Sequence, residues 1–503
     1  MDPTRRNDRV RESSAAKSGL FSLLDRVSEL GLSFVSLAVL GRLLEPHDFG
    51  LFGIVLSVEV LLHPLLDMGL TPAYIKLSKA DQGAADVFYT LNLLLGAVIA
   101  LALIVSGPLL ASTYNEKILF PMACAFGLSV FVRSMSQQAF AQFKRDRRFD
   151  TVFGLRIGGQ VSGLTASIGG AIAGLGAWSL LLKHLAQSIV FALTTRTVLH
   201  RTLRIMPLSR ILQYKSSIAF GAEIVLSRIV SGFMVSLDKL AYGRLFGISS
   251  LGSFTRAFQL ARMPDSNLRM ALTGPALAHL ARMDGERRKR SYQLAFSITI
   301  LVTSIPCTVL FLDAKSILEW LMGSQWGSAG AYLRWLSVWA VGKVLHGLCI
   351  TMFTNEGRIR AWIVLNILSV TVILGMPIII VFNHRDPVLF TKAMATGSVG
   401  CWLLVSLGSL RAFTGSLLVP AAVIRTLLCS YLGAVVGGGL AYYAFVVAYG
   451  SHLAAHLSIV RTAAVAVGAG GGALLLGSLL DAQTFDYLHQ QMSSLRGKEG
   501  PRR

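Results

Sequence analysis

The feature that most constrains this chain is a recurrence of apolar runs about twenty residues long, the length an α-helix needs to cross the hydrocarbon core of a bilayer. The best-defined runs are Tyr89 to Ala111, Leu119 to Gln137, Val152 to Leu175, Trp178 to Val198, Leu294 to Leu312, Ala329 to Phe353, Trp362 to Phe382, Leu389 to Leu410, Ile424 to Ala448 and Val460 to Leu480. Four more carry charge: Leu20 to Leu40, Phe49 to Leu66, Ile218 to Leu237 and Leu251 to Leu272. The pattern predicts an all-α polytopic membrane protein of about 14 transmembrane helices. Composition agrees, with 53% hydrophobic residues, 15% charged and a mean hydropathy of +0.60. The first apolar run follows a long basic segment and is not itself followed by a cleavage site, so it is expected to remain as a helix.

The net charge of +21 does not point to nucleic acid, because the basic residues sit in short blocks between apolar runs with no stacking aromatics among them. They instead orient the chain. With the N-terminus inside, about 29 Lys and Arg fall on the inner side, including FKRDRRF at 143–149 and GERRKR at 285–290, against about five outside (Arg42, Lys117, Arg244, Lys315, Arg385). Both termini are therefore expected in the cytoplasm, with the inner blocks attracting anionic membrane lipids. The five cysteines are scattered through apolar runs, show no CxxC spacing and read as small core residues.

The chain also repeats itself. Gly41-Arg42-Leu43 followed by Gly50-Leu51-Phe52 reappears as Gly243-Arg244-Leu245 followed by Gly252-Ser253-Phe254, an offset of 202 residues that also carries Arg26 onto Arg228. The expected organisation is a basic tail over 1–19, six-helix lobes over 20–205 and 206–410, two appended helices within 411–480, and a tail over 481–503. Parallel repeats of this kind suit rocker-type alternating access.

Ionisable groups at membrane depth cost roughly 2.5–3.5 kcal/mol each on insertion scales and usually face a cavity or a partner. Asp25 and Glu29 lie one turn apart with Arg26 beside them; Glu59, His63 and Asp67 form an i, i+4, i+8 stripe, followed into a Pro64 kink. Asp25, Glu29, Glu59 and His63 are candidates for H+ or Na+ coupling, with charge balance as the alternative. Further along lie Arg133, Arg156, Lys183-His184, Glu223, Arg228, Arg256, Arg262, Arg334, Lys343 and His346, where cations outnumber carboxylates. Arg133, Lys183, Arg262 and Arg334 are alternatively close enough to span ends to snorkel. The surplus implies a cationic cavity, for which Arg26, Arg228, Arg256, Arg133, Arg156 and Lys343 are the candidate lining residues, and an anionic, phosphate-bearing cargo. No GxxxxGK[ST], HExxH or GxSxG motif is present, no metal or cofactor is implied, and the glycine-rich run VGAGGGALLLG at 467–477 suits close helix packing.

Two hairpins carry a family resemblance. Leu40-Gly41-Arg42-Leu43-Leu44-Glu45-Pro46-His47-Asp48-Phe49-Gly50-Leu51 with Asp67-Met68-Gly69-Leu70-Thr71-Pro72-Ala73, and Leu237-Asp238-Lys239-Leu240 with Gly243-Arg244-Leu245-Phe246-Gly247 and Ser253-Phe254-Thr255-Arg256-Ala257, resemble the polysaccharide transporter family of Wzx-like oligosaccharide flippases. The likeness is to the branch serving colanic acid and succinoglycan-type polymers, although Asp238-Lys239 replaces a more usual Asp-Asn-like pair. It implies the multidrug, oligosaccharidyl-lipid and polysaccharide exporter superfamily and two six-helix lobes around a central cavity. It also implies a bacterial inner-membrane flippase for undecaprenyl-pyrophosphate-linked oligosaccharide in exopolysaccharide or O-antigen biosynthesis, working beside polymerase and export machinery. A peptidoglycan lipid II flippase and a cation-coupled multidrug antiporter are the alternatives within the same superfamily; basic residues in the spans argue against the antiporter.

Overall fold

The computed structural model describes residues 3–67, 70–76, 82–199, 203–207, 210, 236, 239–264, 285–383, 386–414, 418–456 and 458–480. Every regular element among them is helical. Most of the expected span 218–237 and of 265–284 lie outside the described residues, so Glu223 and Arg228 do as well.

The chain divides into two compact units, Met1–Gly252 and Ser253–Arg503. The first contains α1 (Pro3–Leu43), α2 (Pro46–Asp67), α3 (Leu70–Lys76), α4 (Gln82–Tyr114), α5 (Leu119–Arg145), α6 (Phe149–Ile172) and α7 (Trp178–Val198). α4 packs on α5, α6 on α7, α5 on α7, and α1 on α6. The division falls within α8 (Ile248–Ala261). The second unit continues with α9 (Gly285–Leu312), α10 (Ala314–Met322), α11 (Ala329–Asn355), α12 (Ile359–Asn383), α13 (Pro387–Thr414), α14 (Leu418–His456) and α15 (Ser458–Leu480). Six helical stretches among the described residues are long and apolar enough to cross a membrane: Gly83–Tyr114, Leu119–Arg145, Ala295–Leu312, Ala329–Ile350, Pro387–Phe413 and Leu427–Ala444.

Local chemistry accounts for the helix ends. α2 starts at Pro46, whose missing N–H is no loss in a first turn, and Asp48 accepts a hydrogen bond from the Glu45 N–H at 3.1 Å. The sequence repeat meets itself at this point, inside the first unit. A Cβ on Gly252 would fall 1.8 Å from the Pro46 carbonyl oxygen, and one on the equivalent Gly50 would fall 2.0 Å from the Ile248 carbonyl oxygen. The opening turns of α2 and α8 therefore touch backbone to backbone, which only glycine allows. The glycine-rich run packs as expected: a Cβ on Gly472 would fall 1.9 Å from the Gly433 carbonyl oxygen, so α14 and α15 also meet backbone to backbone.

Three elements differ from expectation. α1 is one helix from Pro3, so the segment expected as a tail is helical in backbone. α5 runs on from Gln137 to Arg145, because Ala139, Phe140, Ala141 and Phe143 are buried and hold the extra turns in the core. Arg133 consequently lies well inside a helix rather than at its end. α10 is a short helix with Leu318, Leu321 and Met322 buried and Trp320 exposed, too brief for a twenty-residue pattern to reveal.

Candidate functional site

In the first unit, four helices turn polar faces toward one pocket of about 240 Å³. Each contributes by helical spacing. α5 supplies Arg133, Gln137, Phe140 and Lys144, at i, i+4, i+7 and i+11 on one face; α6 supplies Arg156 and Gln160; α7 supplies Gln187 and Phe191; and α1 supplies Glu29, one turn beyond Asp25.

Two ion pairs frame the pocket. Arg156 donates to the Asp25 carboxylate at 2.9 Å, joining α6 to α1, and Arg26 donates to Glu29 at 3.2 Å along α1. The second pair is exposed enough to add little stability, whereas the first ties two helices whose contact the sequence does not reveal. Arg156 uses one N–H on Asp25, and a guanidinium carries five donors, so the rest of its fork can serve the pocket. The Arg133 guanidinium makes no hydrogen bond or ion pair with any described residue. Three cations, Arg133, Lys144 and Arg156, thus face one carboxylate, Glu29, in the lining. At reduced dielectric such an excess favours an anion, and arginine forks suit the paired oxygens of phosphate.

Of the expected cavity residues, the structure brings Arg133 and Arg156 into this pocket, and of the coupling candidates it brings Glu29; Arg26 and Asp25 are the ion-pair partners of Glu29 and Arg156. Glu59 is buried elsewhere in α2, and the side chain of His63 lies outside the described residues. Lys183 donates to Ser36 at 2.9 Å, and the ring of His184 stacks on Phe52 with centroids 5.4 Å apart.

Arg256 and Lys343 belong to the second unit. Arg256 donates to Gln259 at 2.6 Å one turn away. Lys343 lies 5.0 Å from the centroid of the Trp402 ring, which also stacks on His346 at 5.2 Å; His346 Nε2 pairs with Asn366 Oδ1 at 3.0 Å. Arg334 and Arg262 cover Phe311 and Phe258 and stay exposed. The residues missed from sequence are the glutamines of the pocket. They carry no charge to stand out in an apolar run, and only their i+4 spacing from Arg133, Arg156 and Lys183 signals a shared face.

The polysaccharide biosynthesis protein family matches residues 39–330, more than half of the chain. The chain belongs to that family. Relatives include the lipopolysaccharide biosynthesis protein WzxC of Escherichia coli, 22% identical over 63% of this chain and 65% of WzxC. The succinoglycan biosynthesis transport protein ExoT of Rhizobium meliloti is 25% identical over 72% and 73%. The match thus spans about two thirds of WzxC's length. Among solved structures, the lipid II flippase MurJ in an inward closed conformation shares the fold with a TM-score of 0.67 at 10% identity, over 93% of this chain and 99% of MurJ. An inward-facing multidrug resistance MATE transporter shares it at 0.62 and 16%, over 77% and 94%. The family places the chain with polysaccharide biosynthesis proteins, and the solved structures share its fold.

Proposed function

We propose that the chain translocates undecaprenyl-pyrophosphate-linked oligosaccharide repeat units across the bacterial inner membrane by alternating access, supplying exopolysaccharide or O-antigen synthesis. The observation that carries this reading is the pocket of the first unit, where Arg133, Lys144 and Arg156 outnumber Glu29 and Arg133 has no partner among the described residues. A pyrophosphate needs several donors at once, and unspent guanidinium N–H groups supply them. The family membership and the names of WzxC and ExoT support a polysaccharide role over an antiporter of cationic drugs, for which a surplus of cations is unfavourable.

In this reading the chain forms two six-helix lobes around a cationic cavity, followed by two appended helices, with both termini cytoplasmic and Arg228, Arg256 and Lys343 adding positive charge. Asp25, Glu29, Glu59 and His63 carry any coupled H+ or Na+. Anionic lipids contact the inner basic blocks, and polymerase and export machinery receive the product. The test is a deletion strain. Lipid-linked repeat units should accumulate on the cytoplasmic leaflet and clear when the wild-type chain is restored; absence of accumulation contradicts the assignment.

A further inference from the structure

On α11, Trp339, Lys343 and His346 fall at i, i+4 and i+7 and share one face. α13 lies close against α11: a Cβ on Gly342 would fall 3.0 Å from the Val399 Cα and 3.1 Å from Trp402 Cε3, so the glycine gives the Trp402 ring its room. α12 adds Trp362 and, one turn on, Asn366. The His346 imidazole packs against two indoles, Trp362 at 4.5 Å and 36° and Trp402 at 5.2 Å and 24°, and is only 2% exposed. Lys343 Nζ lies over the same Trp402 ring, 5.0 Å from its centroid.

Hydrogen bonding selects the form of this imidazole. With Asn366 Oδ1 as the acceptor at 3.0 Å, Nε2 carries the proton and the lone pair of the neutral ring is on Nδ1. Nδ1 is buried and has no partner among the described residues, and neither has Trp402 Nε1, so the indole is held by its face alone. A proton on Nδ1 makes the ring a cation, which each indole face attracts by about 0.5–2 kcal/mol. Lys343 opposes it. Two like charges over one indole repel at reduced dielectric, so the ring takes a proton as Lys343 leaves Trp402 and gives it up as Lys343 returns. Lys343 is the charged group that acts on the ring. The other titratable groups on helices touching α11 are engaged elsewhere. Lys392 covers Trp335 near the start of α11, Lys315 pairs with Glu319 at 3.7 Å, Tyr292 donates to Glu356 at 3.5 Å, Cys349 faces Ser406, and Arg256 of α8 donates to Gln259.

We infer that His346 is a proton-binding site of the second unit, and that its proton and the Lys343–Trp402 contact exclude one another. The coupling candidates read from sequence, Asp25, Glu29, Glu59 and His63, all belong to the first unit; this site is additional to them. Since Lys343 and His346 are on α11 and Trp402 is on α13, occupancy by a proton changes how those two helices meet. The inference needs no cargo and stands apart from the flippase reading.

The test is tryptophan emission from the purified full-length chain in detergent, titrated from about pH 8 to about pH 5, the range in which histidine changes charge. An imidazolium quenches an indole in contact with it far more than neutral imidazole does, so wild-type emission should fall along a one-proton curve. His346→Gln keeps a donor for Asn366 but cannot titrate, and should remove the fall. Lys343→Met removes the opposing charge and should move the midpoint up by about one pH unit, a tenfold gain in proton affinity. No fall in the wild type, or a full fall in His346→Gln, overturns the proton site. An unmoved midpoint in Lys343→Met overturns the exclusion. The Lys343→Met midpoint is read independently of the glutamine variant, so misfolding of His346→Gln leaves the test in place. None of these readings involves translocation, so their failure leaves the flippase reading untouched.

Discussion

The two units house charge in opposite ways. In the first, Arg156 and Arg133 stand at an open pocket whose lining holds one carboxylate among the described residues, Glu29, and Arg156 is paired with Asp25. In the second, one ion pair is sealed. Arg461 is 9% exposed and pairs at 2.5 Å with Asp313, which is 3% exposed; Asp313 also accepts from Thr462, and Lys343 lies against Trp402. The sealed pair spends its charge on the protein and fixes packing, here tying α15 to the α9–α10 corner. An open one keeps donors for something else. The contrast teaches that an intramembrane arginine identifies a binding site only when its partners leave it incomplete.

Substitutions can break or sharpen this contrast. The largest effect is expected at the sealed pair: Arg461→Ala leaves Asp313 buried without a counter-ion and should destabilise by about 3–5 kcal/mol, whereas Arg461→Met with Asp313→Leu should recover most of the loss. Thermal unfolding in detergent measures both, and an unchanged melting temperature for Arg461→Ala would show that the pair is not sealed. Next comes the repeat crossing, where Gly252→Ala drives a methyl into the Pro46 carbonyl and should cost about 1–3 kcal/mol in the same assay. Lys343→Met removes a cation from an aromatic face and should cost about 0.5–2 kcal/mol, with transport reduced less than by changes in the first unit. Transport lost entirely at that position would place the second unit's cation in contact with cargo and dissolve the contrast. Smallest in stability is Arg133→Gln, within about 0.5 kcal/mol because no described partner is lost. Its transport should nevertheless fall at least about tenfold, since hydrogen bonds to charged groups are worth about 1.5–3 kcal/mol.

What the sequence made legible follows from this chemistry. Long apolar runs are unambiguous, so the helices appear near their expected places. Charges are rare in such runs, which is why Asp25, Glu29, Arg133 and Arg156 could be picked out without coordinates. The C-terminal end of α5 was hidden because Gln137 and Gln138 before a basic block look like the end of a span; burial of Phe140 and Phe143 extends it. Partnership was not legible either, as Arg156 reaches Asp25 across 131 residues. The glutamines were invisible for want of charge, and α10 for want of length.

The most direct measurement is translocation in proteoliposomes of an undecaprenyl-pyrophosphate-linked repeat unit, read by its exposure to an added glycosidase. The wild-type chain is predicted to move the lipid, and the Arg133→Gln, Arg156→Gln double variant to move it at least about tenfold more slowly at matched protein levels. Wild-type rates in that variant, or no translocation by the wild type, would contradict a cargo held by the open cations of the first unit.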